Sequence, residues 1–92
     1  MKNEKETQER KLLFCEKRSN RWLDFEYRLY SDGYEKAPFS IEVLATNQNN
    51  VKKAELIHCF DSEEYAKAFF DIAVRNLATP HSLQYMYENF CE

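Results

Sequence analysis

Residues 61–83 constrain this chain more tightly than any other stretch. Asp61 or Ser62 can cap a helix, and Glu63 and Glu64 fall in its first turn, where the helix dipole favours carboxylates. Tyr65, Phe69, Ile72, Ala73 and Leu77 then recur at helical spacing, which predicts one buried stripe. Pro80 ends that helix, because it lacks an N–H and its ring clashes with the preceding turn. The same proline, behind Thr79, suits the first position of a second helix, with Leu83, Met86, Tyr87 and Phe90 on its apolar side.

Upstream the period changes from helical to two. Leu23, Phe25, Tyr27 and Leu29 alternate with Asp24, Glu26 and Arg28, the pattern of a half-buried strand. After Pro38, the residues Phe39, Ile41, Val43 and Ala45 alternate with Ser40, Glu42 and Thr46. Ala54, Leu56, His58 and Phe60 then face opposite to Glu55, Ile57 and Cys59. Leu12, Leu13, Phe14 and Cys15, between Lys11 and Lys17, read as a strand, with a short helix as the competing reading. Turn residues separate the segments: Ser19 with Asn20, Ser31 to Gly33, and Asn47 to Asn50. The expected fold class is α+β: a four-stranded antiparallel β-meander followed by two C-terminal helices packed on one sheet face. Residues 1–9 read as a disordered polar tail and 10–92 as a single α+β domain.

Composition narrows the function classes. Thirteen basic against 16 acidic residues leave a net charge of −3, and a nucleic-acid-binding domain is usually basic. The strand aromatics also interleave with Asp24, Glu26 and Glu42, which repel phosphate. No apolar run reaches the roughly 20 residues of a membrane span, and the first nine residues carry no signal-peptide core, so a cytoplasmic location is expected. Cys15, Cys59 and Cys91 cannot all pair and show no Cys-x-x-Cys spacing, which fits reduced thiols. A single glycine leaves no phosphate-cradling loop, and neither a Gly-x-Ser-x-Gly elbow nor a His-Glu-x-x-His motif is present. His58 and Cys59 are neighbours on a strand and so point to opposite faces. The residues therefore predict no catalytic site, no metal site and no cofactor.

Two surfaces remain. If both helices cover one sheet face, the other carries Leu13, Cys15, Trp22, Tyr30, Leu44, Ile57 and Cys59 among its charges. Apolar groups left in the open usually meet a partner. The expected partner is a second copy, in a homodimer anchored by Trp22, Tyr30, Leu44 and Ile57. The alternative surface is a basic edge. The first and third turns bring together Lys17, Arg18, Arg21, Lys52 and Lys53, and the first helix returns Arg75 and Asn76 to the same end. Such an edge suits an anion or an acidic partner, as in an inhibitor or ligand-binding module, including one carried by a phage or mobile element. Arg75 and Asn76 are equally suited to satisfying carbonyls at the helix C-terminus.

The run Phe39 to Val43, followed by Val74 to Leu83, resembles a family of small proteins from clostridia and related Firmicutes that is a domain of unknown function. Its strand pattern and an Arg-Asn-x-x-Thr-Pro element, here Arg75, Asn76, Thr79 and Pro80, carry the likeness over roughly residues 23–90. Asn89 stands where that pattern has an acidic residue. The resemblance implies the architecture and no activity.

Overall fold

The structure, a computed structural model, describes residues 10–33 and 37–91. Four strands, β1 (Lys11–Ser19), β2 (Asp24–Ser31), β3 (Phe39–Asn47) and β4 (Asn50–Phe60), precede α1 (Glu63–Arg75) and α2 (Leu83–Phe90). They form one antiparallel sheet in the order β1-β2-β3-β4. The expected α+β meander stands, and residues 11–17 are strand. The expectation of a disordered tail at 1–9 lies outside the described residues.

Alternation builds the centre of the sheet. β2 and β3 pair without irregularity, so Phe25 meets Ala45, Tyr27 meets Val43 and Leu29 meets Ile41 on a single face. All six are buried, together with Phe39, Leu56 and Phe60. Each large side chain so buried contributes about 1.5–3 kcal/mol. Both helices pack on this face. Phe69 and Phe70 of α1 and Leu83 of α2 are buried in the same core, and the Tyr27 hydroxyl donates to the Ala78 carbonyl, 2.8 Å away, in the connector between the helices.

Three departures from regular periodicity matter for the surface. The first is in α1, whose buried stripe is Ala66, Phe69, Phe70, Ala73 and Val74. Tyr65, expected inside, is 51% exposed and leans on Phe90, ring centroids 5.0 Å apart, at the core margin. The helix is instead turned so that Phe70 faces β1, 6.2 Å from the Phe14 ring. The second is a bulge in β1. Leu12 lies opposite Tyr30 and Phe14 opposite Leu29, so Leu13 is an extra residue. The third is in β4, where Phe39 pairs with Phe60 but Ile41 with Leu56.

An inserted residue reverses the face of everything beyond it. Leu13, the extra residue of β1, accordingly packs against the core and not on the uncovered face where it was expected. Cys59 does so too, as one of three β4 residues (57–59) opposite Ser40, two extra residues that leave Leu56 and Phe60 on the same face. Trp22, also expected there, belongs to neither face. It sits in the β1–β2 turn, where the Asn20 side-chain oxygen accepts from the N–H groups of Trp22 and Leu23, both at 2.8 Å.

The helix ends explain themselves locally. The Ser62 hydroxyl accepts from the Tyr65 N–H at 3.2 Å and caps α1. At the other end Leu77 takes a φ of 53°, while Ala78 N–H donates to Ala73 and Leu77 N–H to Val74. This pair of bonds is the Schellman motif, built here without its usual glycine. Thr79 and Ser82 then bond reciprocally, each side chain accepting from the other's N–H at 3.0 Å. That box, with Pro80 inside it, opens the turn leading into α2.

Candidate interaction surface

The face without helices carries a lattice of bonded polar side chains, with Leu12, Leu44 and Val51 beside it. Arg28 on β2 lies 2.6 Å from Glu26 and 3.2 Å from Glu42. The Tyr30 hydroxyl accepts from Arg28 and donates to Glu42 at 3.0 Å, and Lys53 approaches Glu42 at 3.7 Å. Arg10 reaches inward over the Tyr30 ring at 4.3 Å, donating to Asp32 at 2.7 Å and to Glu55 on β4 at 3.2 Å. Ser40 donates to the second carboxylate oxygen of Asp32. The Arg28 hydrogen bond holds the Glu26 carboxyl below the usual carboxylate range, and the bond to Asp32 raises the Arg10 guanidinium.

The four expected anchors do not gather on this lattice. Tyr30 is roofed by Arg10. Leu44 is flanked by Glu26 and Lys53, four residues along β3 from the Ser40 that faces Tyr30, or ~13 Å at strand rise. Ile57, 48% exposed, is on β4, and Trp22, 69% exposed, is in the turn with Arg21 stacked over it at 5.4 Å.

The basic edge is likewise divided. The β1–β2 turn, the β3–β4 turn and the connector lie at one end of the sheet, as a 13-residue α1 of about 20 Å requires. Neighbouring residues of a strand point to opposite faces, however, and Lys52 and Lys53 are thereby separated. Lys52 stands beside Thr79, Pro80 and His81 in a mostly apolar hollow of about 280 Å³. Lys17 and Arg18 line a different trough, about 420 Å³, but share it with Asp24 and Glu26. Arg18 also pairs with Glu16 at 3.1 Å. The Asn76 side chain and its N–H both bond the Ile72 carbonyl, which occupies it in ending α1. Arg75 is exposed beside it.

The surface that sequence reasoning passed over is β1 itself. Every residue from Lys11 to Ser19 is exposed except Leu13, which is half-buried. Leu12 is 50% and Phe14 36% exposed, on opposite sides of the sheet, and no strand pairs with the outer edge of β1 among the described residues. Phe14 has Lys67 4.7 Å from its ring as its polar cover. The run Leu12, Leu13, Phe14 was the signal in the sequence, because three consecutive apolar residues on one strand leave at least one of them on the face without helices unless a bulge turns it.

Two of the three thiols are held protonated by their surroundings. Burial first, then a hydrogen bond to Glu26 at 3.5 Å, pushes the Cys15 thiol up, and burial pushes Cys59 up to about 12. Neither is the low-pKa thiolate that nucleophilic catalysis uses. Among the described residues, no three His, Cys, Asp or Glu side chains are gathered where they could hold a metal ion, and no helix is long and apolar enough to cross a membrane. No family model, curated protein or solved structure matches the chain.

Proposed function

We propose that this protein is a small, non-enzymatic interaction module that associates with a second copy of itself along β1, in a reducing, cytoplasmic setting that keeps its three cysteines as thiols. One observation carries the reading: among the described residues nothing pairs with the outer edge of β1, and Leu12 and Phe14 on it are 50% and 36% exposed. An unpaired strand edge is a row of unused donors and acceptors, and a second strand satisfies them. The uncovered face supports this indirectly. Its charges are already paired within the chain, so docking there would have to break or bury them, at a desolvation cost.

Sedimentation equilibrium tests the proposal. The wild-type chain is expected to dimerise, and Leu12→Asp to leave a folded monomer. Ile57→Asp and Trp22→Asp, away from β1, should remain dimeric. Dissociation by either of those substitutions and not by Leu12→Asp would move the interface away from β1. A wild-type chain monomeric up to about 1 mM, the weakest self-affinity worth about 4 kcal/mol, rejects self-association.

A further inference from the structure

We infer that two copies pair through β1 in one specific antiparallel register, set by the bulge at Leu13: Lys11 opposite Glu16, Leu12 opposite Cys15 and Leu13 opposite Phe14 of the second copy. This rests on the self-association proposed above and adds its geometry.

The argument begins with symmetry. Two identical edge strands that pair antiparallel in one continuous sheet are related by a twofold axis normal to that sheet. Such an axis keeps each face on its own side, so facing residues must already share a face. In an unbroken strand, residues share a face only when separated by an even number, which would put one residue against its own copy at the axis. The bulge changes this. Lys11 lies opposite Ser31, Phe14 opposite Leu29 and Glu16 opposite Tyr27, all on the helix side. Leu12, opposite Tyr30, and Cys15, opposite Arg28, are on the other side. Leu13 packs towards the core, on the helix side with Phe14.

With the axis between Leu13 and Phe14, all six residues from Lys11 to Glu16 meet a residue of their own face. Two residues then separate Leu12 from Cys15 on each strand, so the irregularities match across the axis. Moving the axis to Cys15 breaks the match at Leu12 and Leu13. Moving it to Glu16 sets that carboxylate against itself.

Chemistry selects the same register. Leu12, Leu13 and Phe14 of both copies become the centre, and Lys11 closes each end against Glu16, opposite in charge. The next pair outward would oppose Arg10 and Lys17, but Arg10 is drawn across the sheet to Asp32 and Glu55, away from the edge. Among the described residues, Glu16 has an exposed pairing with Arg18 to give up.

Charge reversal and cross-linking test the register together. Lys11→Glu and Glu16→Lys should each weaken the dimer about tenfold or more, because each places like charges at both ends, and the double reversal should recover wild-type affinity within a few-fold. In a Leu12→Cys chain carrying Cys91→Ser, mild oxidation should join residue 12 of one copy to Cys15 of the other, as peptide mapping would show. Those two positions lie three residues apart on their own strand, about 10 Å, too far to bridge within one chain. A dimer unmoved by either single reversal, not restored by the double reversal, or joined at 15 to 15, overturns this register and leaves self-association standing. A monomeric wild type overturns both.

Discussion

Tyr27 links the sheet to the helical layer through a single oxygen. Its side chain has no exposed surface, and its hydroxyl donates across 51 residues of sequence to the Ala78 carbonyl. Burial pushes the phenol from 10 up to about 12. The folded chain therefore holds this proton more tightly than the unfolded chain does. The resulting stability is whole below pH 10 and drains away between pH 10 and 12. Cys59, raised by burial from 9 to about 12, acts in the same direction from pH 9 upward. The melting temperature should accordingly hold to about pH 9 and fall towards pH 12. Tyr27→Phe should cost about 1–2 kcal/mol at neutral pH, the worth of one buried hydrogen bond, and make the alkaline decline shallower. Melting curves followed by circular dichroism across that range decide the matter, and parallel declines in both chains would mean that Tyr27 is not the group responsible.

Between elements, the connector from α1 to α2 is anchored by the buried Ala78 and closed by its own side chains. Thr79 and Ser82 exchange hydrogen bonds, and the Leu83 N–H also returns to the Thr79 carbonyl at 3.0 Å. Thr79→Ala removes one half of that box and should cost about 1 kcal/mol, the usual worth of a helix cap. Urea unfolding should register it as a lower midpoint with an unchanged slope. A midpoint equal to wild type would show that Pro80 and the buried Leu83 hold the turn by themselves. The break at Thr79 and Pro80 was legible, because capping and proline geometry are local, but Pro80 lies in the turn and α2 begins only at Leu83, not at Pro80 as expected. β2 and β3 were legible too, where alternation runs unbroken. Phe70 was missed for a different reason: two adjacent aromatics on a helix leave its rotation to what lies beneath, here Phe14 of β1. Leu77 adopts a left-handed conformation with no glycine to announce it. The surface proved the hardest to read. Face assignments built on strict alternation failed at Leu13 and Cys59, because each insertion is decided by pairing across strands. Arg10, which roofs Tyr30, had been counted as the start of the domain with no role.

Across the whole molecule, cover is uneven. α1 crosses β2 and β3, and α2 closes the Phe60 end of β4 through Tyr87, whose hydroxyl donates to the Cys59 carbonyl at 2.8 Å, and through edge-on contacts to Phe60. Among the described residues, β1 has a neighbouring strand on one side, and its side chains are mostly exposed. Local opening follows such differences in buried apolar contact, so the amides of β1 belong to the least protected class and those of β2 and β3 to the most. In dilute solution, hydrogen exchange should run about a hundredfold or more faster in β1 than in the central pair, a difference of roughly 2.7 kcal/mol in opening free energy. Raising the protein concentration separates a free edge from a shared one. If β1 pairs with its own copy, exchange between Lys11 and Glu16 slows as dimer accumulates, and its outward-facing amides gain protection that no change within the monomer supplies. If the edge stays solvated, β1 keeps its fast exchange at every concentration while β2 and β3 are unaffected. The gradient across the sheet thus tests the packing, and its response to concentration tests what covers the open strand.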